Sequence, residues 1–155
     1  MKKFNPKNKK TGAIYQIQYI EPMVVKDQDS NVRYLREASE VFTLLKDLQD
    51  SSKEKFIGIY MNSRNRILCI EVVHIGSTSE SLVDSAAVLR TALLVNAKAI
   101  VIAHNHPSGD PSPSVEDKNI TQRISAGCKL LNLLLQDHII IGENCYYSFI
   151  EHGLL

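Results

Sequence analysis

Long apolar runs are missing from this sequence. No window holds 18 uninterrupted apolar residues, so a membrane-spanning helix is not expected. The first residues, MKKFNPKNKKTG, are basic but lack the apolar stretch of a secretory signal. Cysteine is scarce: Cys69, Cys128 and Cys145 are too few and too scattered for a disulfide framework. A reducing, cytoplasmic location is the expectation that follows. A large excess of one charge is absent too, since the formal net charge is +1. No internal repeat or long linker interrupts the chain. What is there is 155 residues, 44% hydrophobic and 23% charged, the composition of a soluble globular protein about one domain long. A chain of that length buries a core without disulfides or a structural metal.

Charge is distributed less evenly than its total suggests. Residues 1–10 carry five lysines (Lys2, Lys3, Lys7, Lys9 and Lys10) and no acid, which leaves 13 basic and 17 acidic residues in the rest. The body is therefore mildly acidic and a poor nucleic-acid surface. The basic arm suits either a contact with DNA or a solvated terminus.

Hydrophobic periodicity sketches the elements. Residues 14–20 (IYQIQYI) alternate as a strand, and residues 26–31 read as a polar turn. Ser39 is placed to cap a helix whose stripe is Val41, Leu44, Leu45 and Leu48. Residues 55–61 and 67–74 form a hairpin about the turn Asn62-Ser63-Arg64-Asn65, and a loop begins at Gly76. Residues 85–95 are predicted helical with Leu89, Ala92 and Leu93 inward. Residues 98–103 (KAIVIA) read as a central strand covered on both faces. A proline-rich loop, His104 to Pro113, leads into a helix from about residue 115 with Ile120, Ile124, Cys128 and Leu131 inward. Strands at 133–141 and 145–150 close the chain around a turn at Gly142. The expected fold is α/β, a single layered domain with a mixed β-sheet flanked by helices. Residues 1–36 form an extension of basic arm plus strand, and residues 37–155 form the domain.

The chemistry is concentrated at residues 103–117. His104 and His106 stand two apart at a strand end, which puts both imidazoles on one side. Eleven residues after His106, Asp117 falls in the first turn of the next helix, and the stiff loop can return it toward the rings. Two imidazoles and one carboxylate leave a fourth tetrahedral position free, the ligand count of a catalytic zinc site. The same letters have a plainer use, because Ser114 and Asp117 also suit a capping box at a helix start.

His104-x-His106, seven residues, Ser114, two residues, Asp117 matches the pattern His-x-His-x7-Ser-x2-Asp. It resembles the JAMM motif of JAB/MPN metalloproteases. The wider string HNHPSGDP, with Asp137-His138-Ile-Ile-Ile-Gly142 downstream, is similar to the RadC branch of that family. The likeness covers roughly residues 37–155. It implies a cytidine-deaminase-like architecture and zinc held by His104, His106 and Asp117, with a water in the fourth place. It also implies that a glutamate at a strand start takes a proton from that water and that Ser114 assists at the oxyanion. Glu54, just before the strand KFIGIYM, stands at the family position for the base, and Glu71 is the alternative. The activity implied is hydrolysis of a peptide or isopeptide bond in a protein substrate. RadC proteins commonly carry a helix-hairpin-helix region, for which residues 1–36 are too few. The DNA repair that the family name implies is correspondingly less expected, and a DNA-associated protein or a non-catalytic interaction module are the alternatives.

Rival site patterns are not found. His-Glu-x-x-His is absent, and so is the Pro-Cys-x-x-Cys of zinc deaminases. Cys69 and Cys128 fall on strand and helix stripes, where thiols are inert. His138 reads as a hydrogen-bonded structural residue, whereas His74 and His152 belong to no constellation. Gly76 and Gly109 suit turns, and Gly109 also allows a substrate backbone near the metal. Oligomeric state is left open by the sequence.

Overall fold

A computed structural model describes residues 34–76 and 83–155. The expected strand at 14–20, the turn at 26–31 and the lysine arm lie outside the described residues, as does most of the loop after Gly76. The elements run α1 (Ala38–Leu44), a 3-10 turn (Lys46–Asp50), β1 (Glu54–Met61), β2 (Ile67–Gly76), α2 (Ser85–Leu94), β3 (Ala99–Asn105), α3 (Val115–Leu130), β4 (Leu134–Ile141) and β5 (Tyr146–Ser148). Among the described residues one five-stranded sheet forms, in the order β2-β1-β3-β4-β5. β3 and β4 are parallel and the other neighbours are antiparallel, so the sheet is mixed as expected. The parallel pair requires a crossover, and α3 supplies it.

The short apolar strand β3 organises both cores because successive residues point to opposite faces. Ala99, Val101 and Ala103 join Ile57, Ile59, Ile139 and Ile141 on the face covered by α1 and the 3-10 turn. Ile100 and Ile102 join Phe56, Tyr60, Val88, Ile124 and Leu135 on the face covered by α2 and α3. All seven residues of β3 are buried. Each of Ile100, Val101 and Ile102 contributes about 1.5–3 kcal/mol on burial. Asparagine punctuates the chain: Asn65, Asn96, Asn132 and Asn144 all have φ between 54 and 59°, and each sits in a turn. Asparagine tolerates that left-handed region better than most side chains.

Several expected details are corrected. The cap of α1 is Glu37, in a reciprocal box with Glu40, and Ser39 lies within the helix. The α-helix stops at Leu44, and Leu45 and Leu48 reach the core through the tighter 3-10 turn. In α2 the inward residues are Val88 and Ala92, with Leu89 packed against them, whereas Leu93 is 56% exposed. The buried stripe of α3 is Asp117, Thr121, Ile124 and Cys128. Leu131 is exposed because it lies past the end of the helix, and two polar residues extend the stripe in the other direction. The last strand is shorter than expected, ending at Ser148.

Candidate metal centre

β3 outruns the expected strand by two residues, which places His104 inside the sheet and His106 just beyond it. His104 is fully buried and stacks on Phe56, its partner across the β1–β3 ladder, with centroids 5.9 Å apart. The main chain at His106 still follows the sheet, donating from its N–H to the Ile141 carbonyl at 2.9 Å. As period-2 geometry requires, the two rings meet: their Nε2 atoms are 3.0 Å apart.

Asp117 reaches this point from α3. Ser114 is the N-cap, and its Oγ accepts from the Asp117 N–H at 3.0 Å. In return the Asp117 carboxylate accepts from the Ser114 N–H at 2.8 Å and from its hydroxyl at 2.6 Å, both through Oδ2. The capping use and the ligand geometry therefore coexist: the box aims the carboxylate. Asp117 Oδ1 lies 3.1 Å from His104 Nε2, and Oδ2 lies 3.6 Å from His106 Nε2. The three residues offer ligand atoms all within 4.8 Å of one another.

Protonation follows from the contacts. His106 Nδ1 lies 2.7 Å from the Asp110 carbonyl, which can only accept, so that nitrogen carries a proton, and in the neutral ring Nε2 is the lone pair facing the centre. Facing Asp117 raises the His106 pKa above its ordinary value, against the opposing effect of burial. Burial disfavours ionised Asp117, but the His104 and His106 rings and the Ser114 hydroxyl hold it well below the usual carboxylate range.

Glu54 completes the arrangement. It opens β1 two residues before Phe56, on the strand face that carries the histidine rings. Its charge adds to the upward shift of His106. Its Oε2 is buried without a hydrogen-bond partner. An unpaired buried carboxylate oxygen is costly, so it fits a site built to take a further donor. Glu71, the alternative base, is elsewhere: it accepts from the Tyr60 hydroxyl at 3.0 Å, in the hairpin. The structure thus brings His104, His106, Asp117, Ser114 and Glu54 together and leaves Glu71 apart. Two imidazoles and one carboxylate form a donor set that suits a divalent zinc-like ion.

A comparison with known families accords with this geometry. The family described as RadC-like JAB domain matches residues 35–154. The chain belongs to that family. The UPF0758 protein of Aquifex aeolicus is 43% identical over 121 residues, covering 78% of this chain and 52% of that one. The UPF0758 protein of Methanosarcina mazei is 41% identical over 124 residues, covering 79% and 54%. The UPF0758 protein YfjY of Escherichia coli K12 is 40% identical over 131 residues, covering 79% and 82%. The chain thus spans about half the length of the first two relatives and most of the third.

Three further residues support this RadC-like JAB site. Asn105, between the two histidines, points to the other face and ties down the approach to Glu54. Its Oδ1 accepts from the Lys55 N–H at 2.9 Å, and its Nδ2 donates to the Lys53 and Ser51 carbonyls at 3.2 and 3.4 Å. A polar residue closing an otherwise apolar alternation was the available signal. Gly142 holds the loop: a Cβ there would come within 2.4 Å of the Gly109 carbonyl oxygen. Gly109 itself has φ +82°, so its need is a turn, as expected. His138 is hydrogen-bonded, as its sequence context suggests, but one of its partners is His104, at 2.9 Å. Burial and the neighbouring His104 ring keep His138 neutral, with a pKa well below its ordinary value.

Proposed function

We propose that this domain is a zinc-dependent hydrolase of amide bonds, taking a peptide or isopeptide in a protein substrate. The observation that carries this reading is the convergence of three ligand atoms within 4.8 Å beside a buried carboxylate oxygen that has no partner. His104, His106 and Asp117 would hold the ion, and its Lewis acidity would act on a water and on the scissile carbonyl. Glu54 Oε2 is free to accept a proton from that water and to return it to the leaving nitrogen. Ser114, at the N-terminus of α3, is the hydroxyl donor for the developing oxyanion. In the resting arrangement its hydroxyl donates to the Asp117 carboxylate, so this role requires the hydroxyl to turn.

Elemental analysis of the chain purified without added metal is the decisive measurement. About one zinc per chain is expected, lost in His106→Ala. Glu54→Gln should keep the zinc and lose hydrolysis of a peptide library. If neither wild type nor variant holds zinc even when it is supplied, the hydrolase reading falls. If Glu54→Gln stays active, Glu54 is not the base.

A further inference from the structure

We propose that His138 and Thr121 are positioning residues that keep the His104 proton on Nδ1, leaving Nε2 as the lone pair for a metal ion. The inference deepens the metal-centre reading and rests on it for its consequence.

The logic starts from an atom that can only accept. The Asp117 main-chain carbonyl lies 2.5 Å from Thr121 Oγ1, one helical turn on, so the hydroxyl proton must point there. The hydroxyl has no second proton. Thr121 Oγ1 also lies 2.6 Å from His138 Nδ1, so at that contact the oxygen accepts and Nδ1 carries the proton. A neutral imidazole with its proton on Nδ1 has a lone pair on Nε2. His138 Nε2 lies 2.9 Å from His104 Nδ1, and the proton between them therefore belongs to His104. In the neutral ring His104 Nε2 is then the lone pair available to an ion, 3.0 Å from His106 Nε2 and 3.1 Å from Asp117 Oδ1.

His104, His138 and Thr121 are each at most 1% exposed, so water does not compete for these bonds. Phe149 stacks on His138 with centroids 4.6 Å apart and fixes the ring plane. Phe149 is held in turn by Asp137, which accepts from the Ser148 hydroxyl at 2.6 Å and the Ile150 N–H at 3.0 Å. The Asp137-His138 pair thus has two jobs, an anchor for the C-terminal turn and a setting for the ligand ring. The relay also joins two elements: it begins on the main chain of Asp117 in α3 and ends on His104 in β3. Both ligands are fixed by one chain of hydrogen bonds. Partners of this kind typically carry 10–100-fold of metal affinity.

The test compares Thr121→Val, which removes the hydroxyl, with Thr121→Ser, which keeps it. Zinc affinity of the full chain is measured by competition with a chromophoric chelator, and thermal melting is recorded alongside. We expect Thr121→Val to bind zinc about 10–100-fold more weakly. Thr121→Ser should bind within a small factor of wild type. Equal affinities in folded Val and Ser variants would overturn the relay and leave Thr121 a packing residue.

A second readout needs neither metal nor a variant. Long-range proton–nitrogen NMR of the metal-free wild type should place the His138 proton on Nδ1. A proton on Nε2 of His138 would reverse the relay and sink the inference, even if Thr121→Val fails to fold. If instead wild type binds no zinc while the NMR shows Nδ1 protons on His138 and His104, the metal reading fails and the relay stands.

Discussion

The two faces of the sheet are built from the same strands and differ in what their buried polar residues do. On the α1 face, Ala99, Val101 and Ala103 of β3 and Ile139 and Ile141 of β4 form an apolar core, and the two buried polar residues of that alternation, Asn105 and Asp137, direct their hydrogen bonds to main chain and to Ser148. On the α2/α3 face the sequence begins alike, with Ile100 and Ile102, then changes to His104 beside His138. Opposite them the stripe of α3 changes from Cys128 and Ile124 to Thr121 and Asp117. The switch falls toward the carboxyl end of β3, where α3 begins after the loop. One face therefore holds the domain together, and the other does so for half its length and then organises a site. Polar groups are tolerated there because each is paired inward, His138 and Thr121 completely.

Truncation on each face breaks this comparison most sharply. Ile59 and Phe56 stand three residues apart on β1, both buried, on opposite faces. Ile59→Ala should cost about 2–5 kcal/mol and Phe56→Ala about 3–5 kcal/mol. Chemical denaturation measures both. Zinc affinity should separate them: Phe56→Ala removes the ring stacked on His104 and weakens binding, whereas folded Ile59→Ala binds as wild type does. Equal losses of affinity would mean that the faces are not independent.

The same contrast explains what the sequence made legible. The apolar face and the central strand followed from periodicity, since seven buried residues in β3 leave a nearly unbroken apolar run. His104, His106 and Asp117 were legible because a strand end and a helix start are positions that sequence signals mark well. Boundaries misled where a polar residue is buried for a reason three-dimensional in origin. His104 and Asn105 read as loop because they are polar, yet the ladder continues through them, with His104 opposite Phe56 and Ile140. Leu131 read as core because it is apolar, while Asp117 and Thr121 take the buried end of that stripe. Asn105 and Gly142 act on residues about 50 and 33 positions away, Ser51–Lys55 and Gly109, and no local pattern encodes such contacts. Of the candidate bases, Glu54 is favoured over Glu71 by its place just before a strand, and the fold adds that the Tyr60 hydroxyl donates to Glu71.

A smaller perturbation tests how the site end is held to the sheet. Gly142→Ala puts a Cβ 2.4 Å from the Gly109 carbonyl oxygen and 2.8 Å from Pro111 Cδ, so backbone must move. The expected cost is about 1–3 kcal/mol. The displaced loop also carries the Asp110 carbonyl that fixes the His106 ring, and the Gly109 N–H that bonds the His106 carbonyl at 3.0 Å. Zinc affinity should therefore fall with stability, although Gly142 touches no ligand. Melting combined with chelator competition checks this. Loss of stability alone would show that His106 is held by the β3 ladder and not by the loop.

The mildest change addresses the residue with two readings. Ser114→Ala removes the cap of α3, which should cost about 0.5–2 kcal/mol. It also removes one of two donors to Asp117 Oδ2, while the Ser114 N–H at 2.8 Å remains. Loss of a partner behind a ligand weakens metal binding by about tenfold at the low end. Capping and aiming account for those two effects and nothing more, because neither touches substrate once zinc is saturating. A fall in kcat of the fully zinc-loaded variant is then the separate signature of an oxyanion donor. If kcat is unchanged at saturating zinc, Ser114 is a cap that aims Asp117, and the hydroxyl never leaves it.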